Sequence, residues 1–413
     1  MLPAIMKEFG TDQYGVAWLP AIFQLCKGIF TLPGGFALHR FGCRACLRAG
    51  CLVILAASVL YPLAPSLWWL GTLHGIYGSA YDLVGIGPAI VFVTTWFEER
   101  PGLAIGMLTT AFSVSGVLFP PLLARLTAHH GWRRASLLSP VLTALVVLPI
   151  CFRIIQDGPV QQRRQQQVVQ TDPEADGDET ASASASAASG GEGLNFRRSL
   201  GLGAVWHLAF LSLYQLYIVI ALINTLVLYL KTDVGMALEL CGLYSSIVFQ
   251  ASIVGKLLMG LALDVPRLSA PAGLLGCLVL LAGTLLPLDL SGGLTDSHGQ
   301  LLAFAVVYGL GFGGCYSMVC AKPAKMFGRM SDFGRLQGFL MLFQVIGGFL
   351  GTLVTGKLRA VYGNYTLSFY VFIAMAVLCC CHYVALECSG KRLHTCRERS
   401  ETVGLPDECG TRR

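Results

Sequence analysis

Charged residues are scarce in this chain of 413 residues. Asp, Glu, Lys and Arg make up 13% of the residues, whereas 54% are hydrophobic and the mean hydropathy is +0.65. Soluble domains carry about 25% charged residues, because their surfaces face water. The shortage of charge therefore excludes a soluble globular protein.

Signatures of catalysis and of metal binding are also missing from the sequence. It contains no phosphate-binding loop, no nucleophile elbow and no pair of catalytic acids. Its histidines and cysteines lack the spacing of a metal site, and many of the 15 cysteines lie in apolar runs, where a thiol behaves as a small hydrophobe. We therefore expect neither an enzyme, a cofactor, a metal site nor a nucleic-acid partner.

What the chain has instead is a series of long apolar runs. Many reach about 20 residues, the length that crosses a bilayer as an α-helix. Glycine is frequent inside them, which suits close helix packing in lipid. We therefore expect an all-α, multi-pass integral membrane protein with eleven spans. The predicted spans are residues 14–36, 48–65, 69–95, 103–126, 135–153, 202–230, 241–262, 269–288, 300–321, 338–357 and 366–387.

The placement of lysine and arginine orients these spans. Alternate connections carry most of these residues, namely residues 39–48, 98–102, 153–200, 264–267, 322–335 and the tail after residue 387. Short loops that are rich in lysine and arginine stay in the cytoplasm. This side is therefore predicted to be cytosolic. We expect the plasma membrane, with an organelle membrane as the alternative.

One polar segment divides the chain. Residues 156–200 are rich in Gln, Ser, Ala, Gly and acids and show no apolar periodicity. Such a segment cannot bury enough apolar surface to fold alone, so we predict a disordered cytosolic linker. It separates an N-terminal helix bundle, residues 1–155, from a C-terminal six-helix bundle, residues 201–388. Residues 389–413 are predicted to form a cytosolic tail.

The two halves repeat one another in sequence. Gly35 and the position of His39 recur at one constant interval as Gly260 and Asp264. A second constant interval, slightly longer, pairs Gly106, Gly116, Arg125, Leu126, Ala128 and Gly131 with Gly338, Gly348, Lys357, Leu358, Ala360 and Gly363 without a gap. Matches that keep one register over a whole span indicate an internal repeat of two pseudo-symmetric bundles.

The repeat also shows that the first half has one span fewer than the second. The segment LYLKTDVG at residues 228–235 matches the chain start, MLPAIMKEFG, around Lys231 and Lys7. Residues 1–6 are too short to cross a bilayer. We expect a fragment or a mis-started sequence that lacks a first helix. The alternative is an eleven-span protein with its N-terminus outside, and a signal peptide does not explain the pattern.

A motif ends the first apolar run. Residues 35–44, GFALHRFGCR, fit G-x-x-x-[DE]-[RK]-x-G-x-[RK] at every constrained position except His39. The matching residues are Gly35, Arg40, Gly42 and Arg44, and the second-half copy keeps Gly260, Asp264 and Arg267 without the second glycine. The motif resembles the cytosolic loop between the second and third helices of major facilitator superfamily transporters. In that family an acid at the motif's fifth position forms a breakable ionic latch between the halves, which His39 does not supply.

Further stretches narrow the resemblance. Residues 96–106, WFEERPGLAIG, lead through two prolines at 120–121 to Gly-Trp-Arg at 131–133, and Ala-Trp at 17–18 follows Glu-Phe-Gly at 8–10. These stretches are similar to monocarboxylate-transporter-like and oxalate–formate-type members of the superfamily. The resemblance implies twelve spans in a complete fold, a central substrate site and rocking between outward and inward states. It also implies small organic anions as substrates, often moved with protons.

Four ionisable residues inside spans are candidates for the substrate and proton pathway: Lys27, His74, Asp82 and Lys256. A charge at the bilayer centre costs about 2.5–3.5 kcal/mol, so it usually faces a cavity or a partner. In the transporters that the chain resembles, an arginine at the position of Lys256 binds the substrate carboxylate. The acid that assists it one turn earlier is replaced here by Ser252.

Other interpretations of these four residues stay open at this point. Lys256 could extend to the cytosolic interface, Lys27 could form a structural ion pair with Asp82, and His74 could be a structural histidine. Asp82 could carry a proton or serve as a permanent counter-ion.

Three functions remain in competition. The first is a proton-coupled secondary transporter of small organic anions, favoured because buried bases outnumber buried acids. The second is a carrier of amino acids or another polar solute, with Asp82 binding a cationic group. The third is a receptor or scaffold that does not transport. The lipid bilayer is a partner in each case, and an accessory membrane subunit is left open.

Overall fold

The computed structural model describes residues 2–10, 13–97, 100–155, 196–236, 238–290, 298–328, 330 and 332–403. All regular secondary structure within these ranges is helical, which confirms the all-α prediction for them. Most of the predicted linker, residues 156–195, lies outside the described residues, and so does the end of the predicted tail, residues 404–413.

The first half follows the predicted apolar runs. Its helices are α1 Leu2–Phe9, α2 Gln13–Leu60, α3 Leu67–Val84, α4 Ile86–Thr94, α5 Pro101–Ser136 and α6 Leu138–Leu142. A 3-10 turn at Tyr61–Leu63 leads from α2 towards α3, and two π-helical turns at Thr143–Val147 and Ile150–Ile154 prolong α6. The helix α3 begins where the Ser66 hydroxyl accepts the Trp69 N–H at 3.3 Å, a typical N-terminal cap.

The second half contains the largest cluster of buried apolar side chains in the described chain. Its helices are α7 Phe196–Ser199, α8 Gly203–Thr232, α9 Leu238–Asp264, α10 Pro266–Leu290, α11 His298–Phe327, α12 Phe333–Tyr362 and α13 Thr366–Val403. The six long helices, α8 to α13, correspond to the six spans predicted for this half. The last of them extends into the segment that was predicted as a tail.

The count of spans depends on how bent helices are divided. Nine helices in the described ranges are long and apolar enough to cross a membrane, or ten if the pair His129–Ser136 and Leu138–Arg153, bent by 46°, forms one span. The first of the nine has 42 residues. It would be about 63 Å long at 1.5 Å per residue, about twice the hydrocarbon thickness. It therefore contains two of the eleven predicted spans, and each predicted span has a helical counterpart.

Glycine interrupts the helical backbone inside two of these helices. Gly42 inside α2 has φ 80° and Gly131 inside α5 has φ 79°, a left-handed conformation that side chains with a Cβ rarely adopt. Gly42 is the second glycine of the loop motif, so it turns the chain from the first span into the second. The second-half copy has Arg267 at this position, and the turn there is made before Pro266, at which α10 begins.

The internal repeat is visible in the backbone. Gly10 and Gly235 both have positive φ, and they are separated by the same interval as Gly35 and Gly260. Gly131 and Gly363, which the sequence matches had already paired, both have positive φ as well. The turns thus follow the two intervals of the sequence repeat. The short helix α1 therefore occupies the place of the last turns of α8.

Two carboxylates at equivalent positions of the repeat, Glu8 and Asp233, form hydrogen bonds at the outer ends of the two halves. Glu8 accepts hydrogen bonds from Arg133 at 2.7 Å and from the Trp132 ring N–H at 2.5 Å, and these bonds lower the pKa of Glu8. Asp233, the counterpart of Glu8, accepts from Arg359 at 2.7 Å and from the Tyr365 N–H at 2.8 Å. The correspondence between α1 and the end of α8 is therefore seen both in the sequence and in the hydrogen bonds of these carboxylates.

The halves differ in what covers the fifth helix. In the second half α8 packs against α12 and buries Gln344, which is 7% exposed. The repeat counterpart of Gln344 is Phe112 on α5, which is 45% exposed. Phe112 packs instead against the rings of Phe249 and Tyr316, with ring centres 6.4 and 6.3 Å away.

The two bundles meet along two helix pairs, α2 with α12 and α5 with α9. Each crossing is a pair of glycines. A Cβ on Gly35 would lie 3.2 Å from the Gly338 Cα, and a Cβ on Gly106 would lie 3.2 Å from the Gly260 Cα. Because glycine has no side chain, the helices approach to backbone contact at both crossings. The sequence repeat had matched these same four glycines.

Candidate functional site

Asp264 joins the halves at the side predicted to be cytosolic. Its carboxylate accepts the N–H groups of Gly102 at 2.8 Å and Leu103 at 2.7 Å, in the first turn of α5. The first N–H groups of a helix have no partner within the helix and carry partial positive charge, so an acid is stabilised there. Lys325 lies 3.4 Å from the same carboxylate and also donates to the Leu263 carbonyl. We call this contact the second latch.

His39 makes the corresponding contact of the first half. Its Nε2 lies 3.3 Å from the carboxylate of Asp332, the residue directly before α12. Asp332 also accepts the Phe196 N–H at 3.2 Å. The acid that the motif lacks at position 39 is therefore supplied by the opposite bundle. We call this contact the first latch.

The sequence interpretation missed Asp332, although the repeat contains a signal for it. Asp332 is the repeat counterpart of Arg100, at the same interval that pairs Gly106 with Gly338. At this position the first half therefore has a base and the second half an acid. At the motif position, too, the first half has a base, His39, and the second half an acid, Asp264. Together these two differences would have predicted a first latch in which the motif supplies the base and the opposite bundle the acid.

The remaining motif residues lie around the latches. Arg40 is exposed and its guanidinium lies 5.7 Å from the Phe41 ring centre, and Arg267 is exposed as well. Arg44 is half-buried. Arg48, four residues further on, donates to the carbonyls of Cys151 and Phe152 at 3.3 and 3.0 Å, near the end of the last first-half span. A basic side chain at that place stabilises the C-terminal carbonyl groups of the helix.

Exchanging the charges of His39 and Asp332 tests whether attraction between these two residues stabilises the first latch. His39→Asp places two carboxylates side by side, so amide hydrogen exchange in the first turn of α12 should become about fivefold faster, corresponding to about 1 kcal/mol for an exposed pair. The double variant His39→Asp/Asp332→His should return exchange to the original rate. The control is Arg40→Asp, which makes a similar charge change one residue away. Unchanged exchange in His39→Asp would show that the pair does not hold the helix.

Lys256 is completely buried at the crossing of α9 and α5. The side chain is 0% exposed. Its ammonium donates to the Ser113 hydroxyl at 2.6 Å and to the Thr109 carbonyl at 3.0 Å, both on α5 of the opposite bundle. Ser252, at the place of the family's acid, lies 2.8 Å from Ser113. Lys256 therefore does not extend to the cytosolic interface.

Aromatic rings surround the Lys256 ammonium. It lies 5.3 Å from the ring centre of Phe112, 5.1 Å from that of Phe312 and 5.2 Å from that of Tyr316. These distances suit cation–π attraction. No carboxylate lies within 4.0 Å of the ammonium in the part of the chain that the structure describes. The site therefore holds a cationic group without an acidic partner.

Lys27 and Asp82 lie in one cluster without a direct ion pair. The Lys27 ammonium lies 4.5 Å from the Tyr81 ring centre, and the described residues contain no Lys27–Asp82 contact within 4.0 Å. The Thr31 hydroxyl lies 2.6 Å from the Lys27 carbonyl and 3.1 Å from Asp82 Oδ1. Its single proton can serve only one of them at a time. A protonated Asp82 can donate to Thr31 instead, so the contact fits both states of the carboxyl group.

A small cavity of about 20 Å³ lies beside this cluster, between α2, α3 and α4 of the first bundle and α12 of the second. We call it the junction cavity. Lys27, Thr31, Tyr81, Asp82 and Gln337 line it. The crossing glycines Gly35 and Gly338 also line it, so the cavity lies directly at the junction of the bundles. Gln337 was not among the residues selected from the sequence.

His74 belongs to a different cluster. Its Nδ1 lies 2.8 Å from the Leu70 carbonyl, and its ring packs against Tyr61 and Tyr77 at 5.6 and 6.4 Å between ring centres. It does not line the junction cavity. The structure thus brings Lys27 and Asp82 together and places His74 and Lys256 elsewhere.

The larger cavity described in the structure carries no charge. It has a volume of about 720 Å³ and lies between α2 and α3, with apolar walls that include Trp18, Cys26, Phe30 and Ile76. No candidate site residue lines it. Size therefore does not identify the site, which follows instead from the buried charges at the bundle junction.

The family of the chain follows from comparison with known proteins. A model of the Major Facilitator Superfamily matches residues 1–220 and 205–395. The chain belongs to this superfamily. Members are transporters and not enzymes, so the prediction of a multi-pass membrane transporter is confirmed.

Relatives support the subgroup that the sequence resembles. The chain is 25% identical to monocarboxylate transporter 11 of Homo sapiens, over 99% of this chain and 82% of that protein. It is 26% identical to monocarboxylate transporter 13 of Bos taurus, over 86% of this chain and 76% of that protein. The chain is 28% identical to the uncharacterised transporter YcxA of Bacillus subtilis, but over only 36% of this chain and 37% of that protein. The resemblance to the monocarboxylate-transporter-like group is confirmed.

Solved structures confirm the superfamily fold. The proton:xylose symporter XylE bound to 6-bromo-6-deoxy-D-glucose aligns with a TM-score of 0.69 at 15% identity, over 88% of this chain and 84% of that one. The transporter FucP in the outward conformation aligns with a TM-score of 0.68 at 15% identity, over 93% of both chains. At such identities the likeness concerns the fold alone.

Proposed function

We propose that this superfamily member carries small organic anions together with protons, through a site that opens alternately to the two sides of the membrane. The observation that carries the proposal is Lys256. A fully buried ammonium without a carboxylate partner is costly in a membrane protein and is usually kept for a ligand. Two hydrogen bonds to the opposite bundle use two of its three donors, and an anion can take their place when the bundles part.

The surroundings of Lys256 suit a short carboxylic acid. The ammonium provides a point charge for the carboxylate. The rings of Phe112, Phe312 and Tyr316 provide apolar walls for a carbon chain. The names of the monocarboxylate transporters among the relatives support the same class of substrate.

The position of Lys256 suggests how binding and movement are connected. Lys256 belongs to the second bundle, whereas both of its acceptors belong to the first. When the bundles separate at this crossing, the ammonium loses Thr109 and Ser113 and has to find another acceptor. A substrate carboxylate supplies that acceptor, so the anion and the closed crossing compete for one ammonium group.

Asp82 is the proposed proton carrier. It lies at the junction, where its surroundings change when the bundles rock, and its contact with Thr31 fits both the charged and the neutral carboxyl group. A proton on Asp82 compensates the charge of a monocarboxylate that moves with it. We place the carrier in the plasma membrane, with the two latches facing the cytosol.

Uptake by the purified full chain in lipid vesicles tests the proposal. The vesicles are offered radiolabelled L-lactate, pyruvate and acetate, with L-alanine as the zwitterionic comparison, with and without an inward proton gradient. We expect saturable uptake of at least one monocarboxylate that the gradient stimulates and a protonophore abolishes. Uptake of L-alanine alone would instead support the polar-solute carrier. Absence of any saturable uptake would support the scaffold.

A further inference from the structure

The junction cavity is lined by two residues that carry a buried acceptor without a hydrogen-bond partner. They are Asp82 Oδ2 on α3 and Gln337 Oε1 on α12. Gln337 is 2% exposed, so bulk water does not reach its side chain. A buried acceptor that lacks a partner is destabilising, and most such groups in folded proteins are bonded to protein or to an ordered water molecule.

A donor also faces the cavity. Lys27 lines it and contacts the Tyr81 ring, and the described contacts of its ammonium include no hydrogen bond. Lys27, Tyr81 and Asp82 are the ionisable residues that line the cavity, whereas α4 and α12 contribute only residues without charge. The described contacts thus leave one donor and two acceptors around the cavity, from three helices, without a hydrogen-bond partner.

The size and charge of the cavity restrict what can occupy it. Its volume of about 20 Å³ admits one water molecule, which requires about 10–15 Å³. A metal cation would lie beside the Lys27 ammonium, and an inorganic anion would lie beside the Asp82 carboxylate. A neutral molecule with two donors and an acceptor avoids both conflicts, and water is such a molecule.

We infer that the junction binds a single water molecule, which donates to Asp82 Oδ2 and Gln337 Oε1 and accepts from Lys27. Gln337 is then a positioning residue for the proton site, and it acts from the opposite bundle. The inference deepens the proposed function, because it rests on Asp82 as the proton carrier. It adds a reason why the state of Asp82 depends on whether the bundles are closed.

The geometry gives the water a defined role in the transport cycle. Gly35 and Gly338 seal the crossing beside the cavity, and the first latch follows four residues after Gly35. While this crossing is closed, the trapped water is the proton-exchange partner of Asp82 Oδ2, and the Thr31 hydroxyl lies beside Oδ1. When the bundles part, Gln337 leaves with α12 and Asp82 faces bulk water. Proton release is thereby tied to opening of the crossing.

Infrared difference spectroscopy of the purified full chain tests the inference without any substrate. Exchange into H₂¹⁸O identifies the O–H stretching bands of bound water, and labelling of aspartate with ¹³C, together with Asp82→Asn, assigns the Asp82 carboxyl band. We expect one water band to disappear in Gln337→Leu, which has a similar volume and no acceptor. The same band should persist in Met341→Leu, a matched change of an apolar residue that lines the same cavity.

Titration of the assigned Asp82 band gives a second readout. Gln337→Glu keeps a polar side chain and adds a carboxylate near Asp82, so the midpoint should rise by about one pH unit, as expected for neighbouring like charges. Met341→Leu should leave the midpoint unchanged. Since both readouts need no transport, they can succeed where vesicle uptake fails. Unchanged water bands in Gln337→Leu, with an unchanged midpoint in Gln337→Glu, would overturn the water site while leaving proton-coupled uptake untouched.

Discussion

Lys256→Met is expected to weaken anion uptake strongly while leaving a folded protein. Hydrogen bonds to charged groups contribute about 1.5–3 kcal/mol, which corresponds to a loss of about tenfold to 150-fold in apparent affinity for the anion. The substitution also removes a buried ammonium from an apolar cage and replaces it with a side chain of similar length. The thermal midpoint of the purified protein should therefore stay the same or rise.

The combination of these two effects distinguishes a binding role from a structural one. If Lys256 only joined α9 to α5, its loss would lower the thermal midpoint and uptake together. Lys256→Arg keeps the positive charge and should retain measurable uptake, because a guanidinium can also bind a carboxylate. Lys357→Ala, which removes an exposed lysine on α12, is the control and should leave both quantities unchanged. Full uptake by Lys256→Met would remove this residue from the site.

Asp82→Asn is expected to separate substrate movement from proton movement. Asparagine preserves the size of the side chain but cannot gain or lose a proton in the physiological range. Uptake driven by an inward proton gradient should fall to the rate seen without a gradient. Exchange of labelled for unlabelled anion across the membrane involves no net proton movement, so it should persist at about the original rate.

The control for this experiment is Thr31→Val. It removes the hydroxyl that lies 3.1 Å from Asp82 Oδ1 but leaves the carboxyl group in place. Coupling to the gradient should therefore survive in this variant. Continued proton-driven uptake by Asp82→Asn would assign the proton to another group. Loss of exchange as well would mean that Asp82 is needed for folding or for substrate binding.

The fold was predictable to a large extent because it depends on local composition and on repetition. Apolar length predicts the spans, and the two constant intervals of the repeat pick out the glycines that later meet at the crossings. The left-handed turns at Gly10 and Gly235 were not predicted, but they follow the first of these intervals. The division of α2 near Gly42 was predictable because the basic residues of the motif separate the apolar run 14–36 from the run 48–65.

The candidate site was predictable only in part. Lys27, Asp82 and Lys256 can be identified from the sequence because a charged side chain inside an apolar run is energetically costly and is usually kept for a function. Nothing in the sequence distinguishes the residues that contact them. Ser113, Gln337 and the aromatic rings around Lys256 are ordinary residues in ordinary helices, and their importance comes from what lies opposite them.

By itself the sequence determined that this is a helical, multi-pass membrane protein built from two related halves. The length of each apolar run and the constant spacing of the matching glycines can both be read along the chain without knowing which residues are in contact. Only the tertiary structure decided how the charges are used. Lys256 bonds to α5, His39 meets Asp332, and Gln337 faces Asp82 across the junction. Each of these contacts joins residues from different bundles, and their distance in the chain carries no information about contact. Packing of the two halves, rather than any local preference, brings them within reach.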